Sequence, residues 1–221
     1  MYQRKPLREE LHKEILARIG DGRLPAGHRI NESRLSSALG ISRTPLREAM
    51  LGLEAQGFLG SDMGRGFLVP ELNVQEFTDI QQVLSDLKPL ALSVSFPLPS
   101  GRVMELHNQL GRARLKTAQP SSDRPTAMVD MVYLYSRLLL GTCSNLLLAA
   151  DIARLDGLAR RYWHEAVVMG FDPGEYFQSH EVLYDFLRKD QREEAVHHWR
   201  GHIERFSAEA ARHLPNPPLG V

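Results

Sequence analysis

Two arginines stand four residues apart in GISRTPLREAM, Gly40–Met50. Arg43 and Arg47 therefore share one face of any helix formed there. Ser42 can cap that helix, and Pro45 falls in its first turn, where a missing N–H does no harm. A guanidinium is a planar fork of donors suited to phosphate oxygens and to O6 and N7 of guanine. The plainer alternative is a solvated face in which Arg43 or Arg47 pairs with Glu48 or Glu54. A third arginine, Arg65, lies in MGRG between two glycines, which allow close backbone approach to a partner. Far along the chain, His180 and His202 stand 22 positions apart, with His198 one turn before His202. Neutral imidazole is a good ligand for zinc and similar ions, and otherwise a hydrogen-bonding group. His197, next to His198, reads as a surface residue.

These side chains need elements to hold them. Leu7, Leu11, Ile15 and Ile19 predict a helix over 7–20. Asn31 can cap a second short helix that Gly40 ends. A third helix from Ser42 carries Leu46, Met50 and Leu53 inward and stops at Gly57. Phe58-Leu59 and Phe67-Leu68-Val69 then flank a Gly-rich turn, as in a β-hairpin. From Asn73 the pattern is helical alone, with segments near 74–96, 100–116, 125–143, 145–170, 174–189 and 191–213. The reading is mainly α: a winged helix-turn-helix over 1–72, an all-helical antiparallel bundle over 73–214, and a disordered tail over 215–221.

Composition narrows the setting. The 221 residues carry no net charge, but residues 1–70 hold 11 Lys/Arg against 8 Asp/Glu, leaving 16 against 19 in the rest. The first part is thus the more electropositive. A single cysteine, Cys143, permits no intramolecular disulfide and fits a reducing compartment. The opening MYQRKPLREE has no apolar core of a secretory signal, and no stretch approaches the roughly 20 apolar residues that span a bilayer. A cytoplasmic protein without a membrane partner is expected.

In a winged helix-turn-helix the second helix of the turn enters the major groove N-terminus first. Arg43 and Thr44 would lie at that N-terminus, Arg47 one turn along, and Arg65 at a wing tip over the adjacent minor groove. The span from Gly20 to Val69 resembles the DNA-binding domain of the GntR family of bacterial transcription regulators. The matching pieces are GRLPAG, the core ExxLxxxLGISRTPLREA, LxxLEAxG and the Gly-rich wing. The resemblance implies base and phosphate contacts from Arg43, Thr44 and Arg47, and a wing contact at Gly64. In some members an arginine near the start of the second helix also reads DNA; Ser33 stands there, with Arg34 beside it.

The helical part resembles the FadR subfamily with an FCD-type ligand-binding domain, most clearly in SHEVLYDFLRKDQREEAVHHWRGHIERF. There the resemblance implies a divalent metal, zinc or nickel, on two histidines at the spacing of His180 and His202. The Asp and His that should complete the set are Val132 and Ser136, and Asp130 falls about 200° around the helix from the expected face. The implied carboxylate-binding arginine is Ser85, which speaks against a simple organic acid as effector. Three readings stay open: a metal on His180 and His202, with His198 as a substitute ligand; a metal-free pocket in which these histidines bond an effector; or two core histidines without a ligand. Ser136, Tyr133, Tyr135, Arg137 and Arg160 are further candidates for a pocket lining.

The function expected is a ligand-responsive transcription regulator, a repressor in most of the family. It would bind a pseudo-palindromic operator in double-stranded DNA as a homodimer, associate with the nucleoid when bound, and answer to a small-molecule effector. It is not expected to be an enzyme. The rivals are a helical-bundle metalloenzyme with an attached winged domain, and a winged domain that serves protein interaction only.

Overall fold

A computed structural model of the chain describes residues 4–62, 66–118 and 124–215. By contacts the chain divides at Leu72 into Met1–Leu72 and Asn73–Val221. The first unit begins with α1 (Arg4–Gly20), which buries Leu11, Ile15 and Ile19. It starts three residues before the apolar stripe does, because Pro6 is tolerated in a first helical turn. Next come α2 (Glu32–Ala38) and α3 (Arg43–Glu54). The Asn31 side chain accepts from the Arg34 N–H at 2.9 Å and caps α2. Leu46, Ala49, Met50 and Leu53 are fully buried along α3.

Glycine sets the turn between these helices. Gly40 has φ +65°, the left-handed region that a Cβ makes costly. That conformation lets the Ile41 N–H bond Ser36 O at 3.0 Å and the Gly40 N–H bond Ser37 O at 3.2 Å, a Schellman closure. The same device ends α3, where Gly57 has φ +85° and the Phe58 N–H bonds Leu53 O at 3.0 Å.

That second closure shifts the hairpin. Phe58 is engaged by α3, so the strands are β1 (Gly60–Asp62) and β2 (Gly66–Leu68), paired antiparallel with Gly60 opposite Leu68. The apolar pair expected to form the first strand, Phe58-Leu59, instead fills the core. The segment after Pro25, expected only as a chain break, runs along β2. Gly27 N–H bonds Val69 O and Ile30 N–H bonds Phe67 O, both at 2.9 Å. Gly64 and Arg65 lie outside the described residues, as does the expected tail beyond Pro215.

The second unit consists of α4 (Val74–Ser95), α5 (Ser100–Thr117), α6 (Arg124–Leu140), α7 (Leu146–Val168), α8 (Gly174–Arg188) and α9 (Arg192–His213). Its described residues contain no strand, and the helices fall within a few residues of the predicted segments. Asn73 caps α4 and Asn145 caps α7 through their side-chain oxygens. α4 packs against α9, α7 and α6; α5 packs against α6 and α8. An aromatic cluster ties α4, α7 and α8 together. Phe77 stacks on Tyr162 at 5.3 Å, and Trp163 meets Phe77, Phe171 and Tyr176 edge-on at 5.7 Å. The architecture is the expected one, a winged helix-turn-helix and an all-helical bundle. Among the described residues no helix is long and apolar enough to cross a membrane.

Candidate functional site

Burial of the inner face of α3 turns the other face outward. Arg43, Thr44, Arg47 and Glu48 are all exposed, opposite Leu46, Ala49 and Met50. Ser42 is the N-cap residue but makes no side-chain capping bond. The first N–H groups of α3 are therefore not satisfied by a capping side chain, and with the helix dipole they favour an anion. Neither arginine pairs with Glu48 or Glu54 among the described residues. Arg47 instead approaches Glu32 of α2 at 3.8 Å while remaining 60% exposed. A pair that long and that wet contributes little, so Arg47 can be redirected to another acceptor. Ser33 and Arg34 are exposed at the first turn of α2.

In the helical unit, α8 and α9 bring His180 and His202 together. Both are buried, with ring centroids 4.2 Å apart and planes nearly perpendicular. His180 Nδ1 lies 3.0 Å from Tyr176 O. A carbonyl only accepts, so Nδ1 carries the proton and Nε2 is left as an acceptor. His202 Nδ1 lies 2.9 Å from Ser179 Oγ, and its buried Nε2 has no hydrogen-bond partner among the described residues. Burial pushes the pKa of His180 down to about 3, against a smaller opposing effect of the Tyr176 bond. Burial also holds His202 well below the usual histidine range, helped by His180, His198 and Lys88. Both rings are neutral near pH 7.

These histidines line a cavity with Gln81, Lys88, Val132, Tyr135 and Ser136. Its open space is about 20 Å³, room for a water molecule. Among the described residues Gln81 Nε2, like His202 Nε2, is buried without a partner. Lys88 and its partner were not legible as site residues. Lys88 Nζ lies 2.6 Å from Asp156 Oδ1, with side chains only 7% and 8% exposed, and Ser136 Oγ donates to Asp156 Oδ2 at 2.7 Å. The signal existed: Lys88 interrupts the buried stripe Phe77, Gln81, Leu84, Leu92 on α4, and Asp156 interrupts Ile152, Ala159, Trp163 on α7.

The donor set is a poor match for a divalent cation. Two imidazoles face the space, but Val132 brings no ligand atom and Ser136 is committed to Asp156. Asp156 is itself neutralised by Lys88, whose ammonium belongs to the same cavity and would repel a cation. Among the described residues no group of three or more His, Cys, Asp or Glu side chains is placed to hold a metal. The other candidates are dispersed. His198 does not line the cavity; its Nε2 donates to Ser179 O at 2.8 Å. Tyr135 lines it and points its hydroxyl at His180 O. Asp130 faces away and pairs with Arg160 at 2.5 Å, while Arg160 also lies over the Tyr133 ring. Ser85 bonds Gln82 O within its own helix. Tyr133 and Arg137 line a second cavity, which Ser136 also borders.

Comparison with known proteins places both halves. The family described as "Bacterial regulatory proteins, gntR family" matches residues 7–69, and the FCD domain matches residues 99–205. The Bacillus subtilis protein "Uncharacterized HTH-type transcriptional regulator YdhC" is 33% identical over 85 residues, 38% of this chain and 38% of its own. The "Probable D-xylose utilization operon transcriptional repressor" of Paenarthrobacter nicotinovorans is 35% identical over 77 residues, 35% of this chain and 34% of its own. These alignments span little more than a third of each relative's length. The solved structure of E. coli McbR/YncC superposes with a TM-score of 0.83 at 19% identity, covering 93% of this chain and 97% of that one. At that identity the likeness speaks for the fold.

Two neutral buried histidines give stability a pH signature. Unfolded histidine titrates near 6.5. Below that the unfolded state takes up protons that folded His180 and His202 refuse, so their contribution is fully present above about pH 6.5. It is lost as pH falls, down to about 3, where folded His180 also titrates. His180 adds a slope of about 1.4 kcal/mol per pH unit in that window. Trp163 and Trp199 both belong to this unit, so urea unfolding followed by tryptophan fluorescence reports it. Between pH 7.5 and 5.0 the wild type is expected to lose about 2 kcal/mol more than His180→Gln. Equal losses would mean that His180 is not buried neutral.

Proposed function

This chain belongs to the GntR family of bacterial regulatory proteins and carries an FCD domain, and we propose that it is a ligand-responsive repressor acting on a pseudo-palindromic operator. On this reading it regulates transcription and is not an enzyme, and the metalloenzyme alternative is not favoured. The observation that carries the DNA reading is the exposed Arg43, Thr44 and Arg47 on the N-terminal half of α3. Entering the major groove by its N-terminus, α3 would present Arg43 and Arg47 to guanine edges or phosphates and its open N–H groups to a phosphate. Gly64 and Arg65 of the wing, with Ser33 and Arg34 on α2, would add flanking contacts. The repressor sense is supported by the name of the Paenarthrobacter relative. A cytoplasmic location, with nucleoid association when bound, follows from that role.

An operator selected from random DNA allows the test. One good bidentate guanine contact is worth roughly 1–3 kcal/mol, so Arg43→Ala with Arg47→Ala should reduce specific affinity at least about tenfold in a salt-controlled titration. Specific binding that survives both substitutions would sink the assignment.

A two-fold operator calls for paired heads. The support for a homodimer is a stripe on α4. Val83, Leu90 and Val94 are 45%, 52% and 47% exposed, and Leu87 completes the helical spacing. A second copy laid along this stripe would bury it. Leu90→Asp with Val94→Asp is expected to convert the dimer to monomer by light scattering and to weaken operator binding. A dimer of unchanged strength would exclude the stripe.

For the effector domain the reading is metal-free. Lys88 supplies the positive charge in the cavity, and His202 Nε2 and Gln81 Nε2 remain to bond a ligand or a water molecule. Elemental analysis of purified protein is expected to find no stoichiometric zinc or nickel. One equivalent of either, lost in His180→Gln with His202→Gln, would reverse this reading.

A further inference from the structure

Arg47 has an acidic neighbour on the exposed side of the first unit. Glu32, the first residue of α2, brings its Oε2 to 3.8 Å from Arg47 Nε. The two side chains differ in setting: that of Glu32 is 17% exposed and that of Arg47 60%. The other carboxylate oxygen lies against the hairpin. A Cβ on Gly66 would stand 3.4 Å from Glu32 Oε1, and Gly66, which pairs with Asp62, has φ +85°. Glu32 is thus seated between α3 and the hairpin, largely withdrawn from water, while the arginine reaches into it. A negative charge in that place calls for a reason, because beside DNA it opposes binding to every duplex alike. The dipole of α2 favours an acid in its first turn. That accounts for the charge but not for its place against Arg47.

We propose that Glu32 is a positioning residue that sets the specificity of Arg47 and trades general affinity for discrimination. The carboxylate stands at the Nε edge of the guanidinium. The two terminal nitrogens are left as the fork that matches O6 and N7 of guanine. At 3.8 Å in water the attraction is weak and does not lock the side chain. Contact with DNA removes water from the pair and strengthens it, so the orientation is enforced where it is read. A base without matching acceptors leaves Arg47 unsatisfied and keeps the carboxylate beside acceptors that repel it. The wrong site is thereby penalised as well as the right one favoured. The proposal rests on the reading of α3 as the DNA-binding helix.

The test is a fluorescence-anisotropy titration of the full chain, at fixed salt, with the selected operator and with a scrambled duplex of equal length. Glu32→Gln is expected to bind the scrambled duplex about twofold or more tightly, since a repelling charge is gone. Its ratio of operator to scrambled affinity should fall at least about fivefold, at the base pair whose preference Arg47→Ala also removes. Glu32→Asp keeps the charge and shortens the reach, so it should lose discrimination without gaining affinity for the scrambled duplex. In the Arg47→Ala background Glu32→Gln should leave the ratio within about twofold, because the two residues act as one. Equal weakening on both duplexes marks a merely structural role and would overturn the proposal. So would an unchanged ratio, the same fall without Arg47, or a preference lost at a different base pair. If Glu32→Gln is unfolded by circular dichroism, Glu32→Asp decides. A wild type that prefers neither duplex defeats the DNA reading itself, whereas a preference that survives in Glu32→Gln defeats this proposal alone.

Discussion

A charge buried in a helical bundle must be matched, and Lys88 and Asp156 meet that requirement in the second unit. At 2.6 Å, with both side chains almost wholly out of water, each would be costly alone. Removing one partner of such a pair typically costs about 3–5 kcal/mol, whereas replacing both with apolar groups is often neutral. The pair is thus weak evidence of stability and strong evidence of arrangement. It fixes where α4 stands relative to α7, and through Ser136 it also engages α6. It keeps a positive charge beside His180 and His202, which supports their neutral state. It also removes from Asp156 the anionic character that would otherwise govern both cavities.

The two units answer different physical demands. In the first, a reading surface needs donors in water and a rigid backing. Left-handed glycines at the ends of α2 and α3 close those helices sharply, and the fully buried Leu46, Met50 and Leu53 hold the exposed arginines by their backbone. Little of that surface is tied down: Arg47 is only loosely paired, and Ser42 makes no side-chain cap. In the second unit the charged groups at the histidine cavity are enclosed, and Lys88, Asp156 and Ser136 bond one another. The exceptions among the cavity residues, Gln81 Nε2 and His202 Nε2, therefore carry information that an exposed unpaired donor would not.

Legibility followed locality. The helices of both units could be read because caps, glycines and apolar periods sit inside each segment. Asn31, Asn73 and Asn145 all cap helices at breaks visible in the chain. The arginine face was equally plain, since Arg43, Thr44 and Arg47 lie within five positions. Local patterns mislead where one element claims a group that another would also use. Phe58 looks like a strand residue, but its N–H closes α3, and β1 starts two residues later. The strand-like run beside β2 was hidden by the Pro25 and Gly27 turn chemistry before it.

The helical site was legible only in part, because it is assembled across distance. The resemblance to FCD-type domains implies a pairing of His180 with His202 on two successive helices, and they do meet. Lys88 and Asp156 are 68 positions apart, and no local pattern couples them. Each shows in the sequence only as a charge on an otherwise apolar stripe. That anomaly is informative: a lysine on a buried face must meet a counter-charge or give up its proton. Taken together, two such anomalies of opposite sign in one bundle predict each other. The same logic separates the cavities, because a charge already neutralised within the wall leaves each space to be defined by its remaining residues: His180, His202 and Gln81 on one side, Ala149, Ile152 and Ala153 with two arginines on the other.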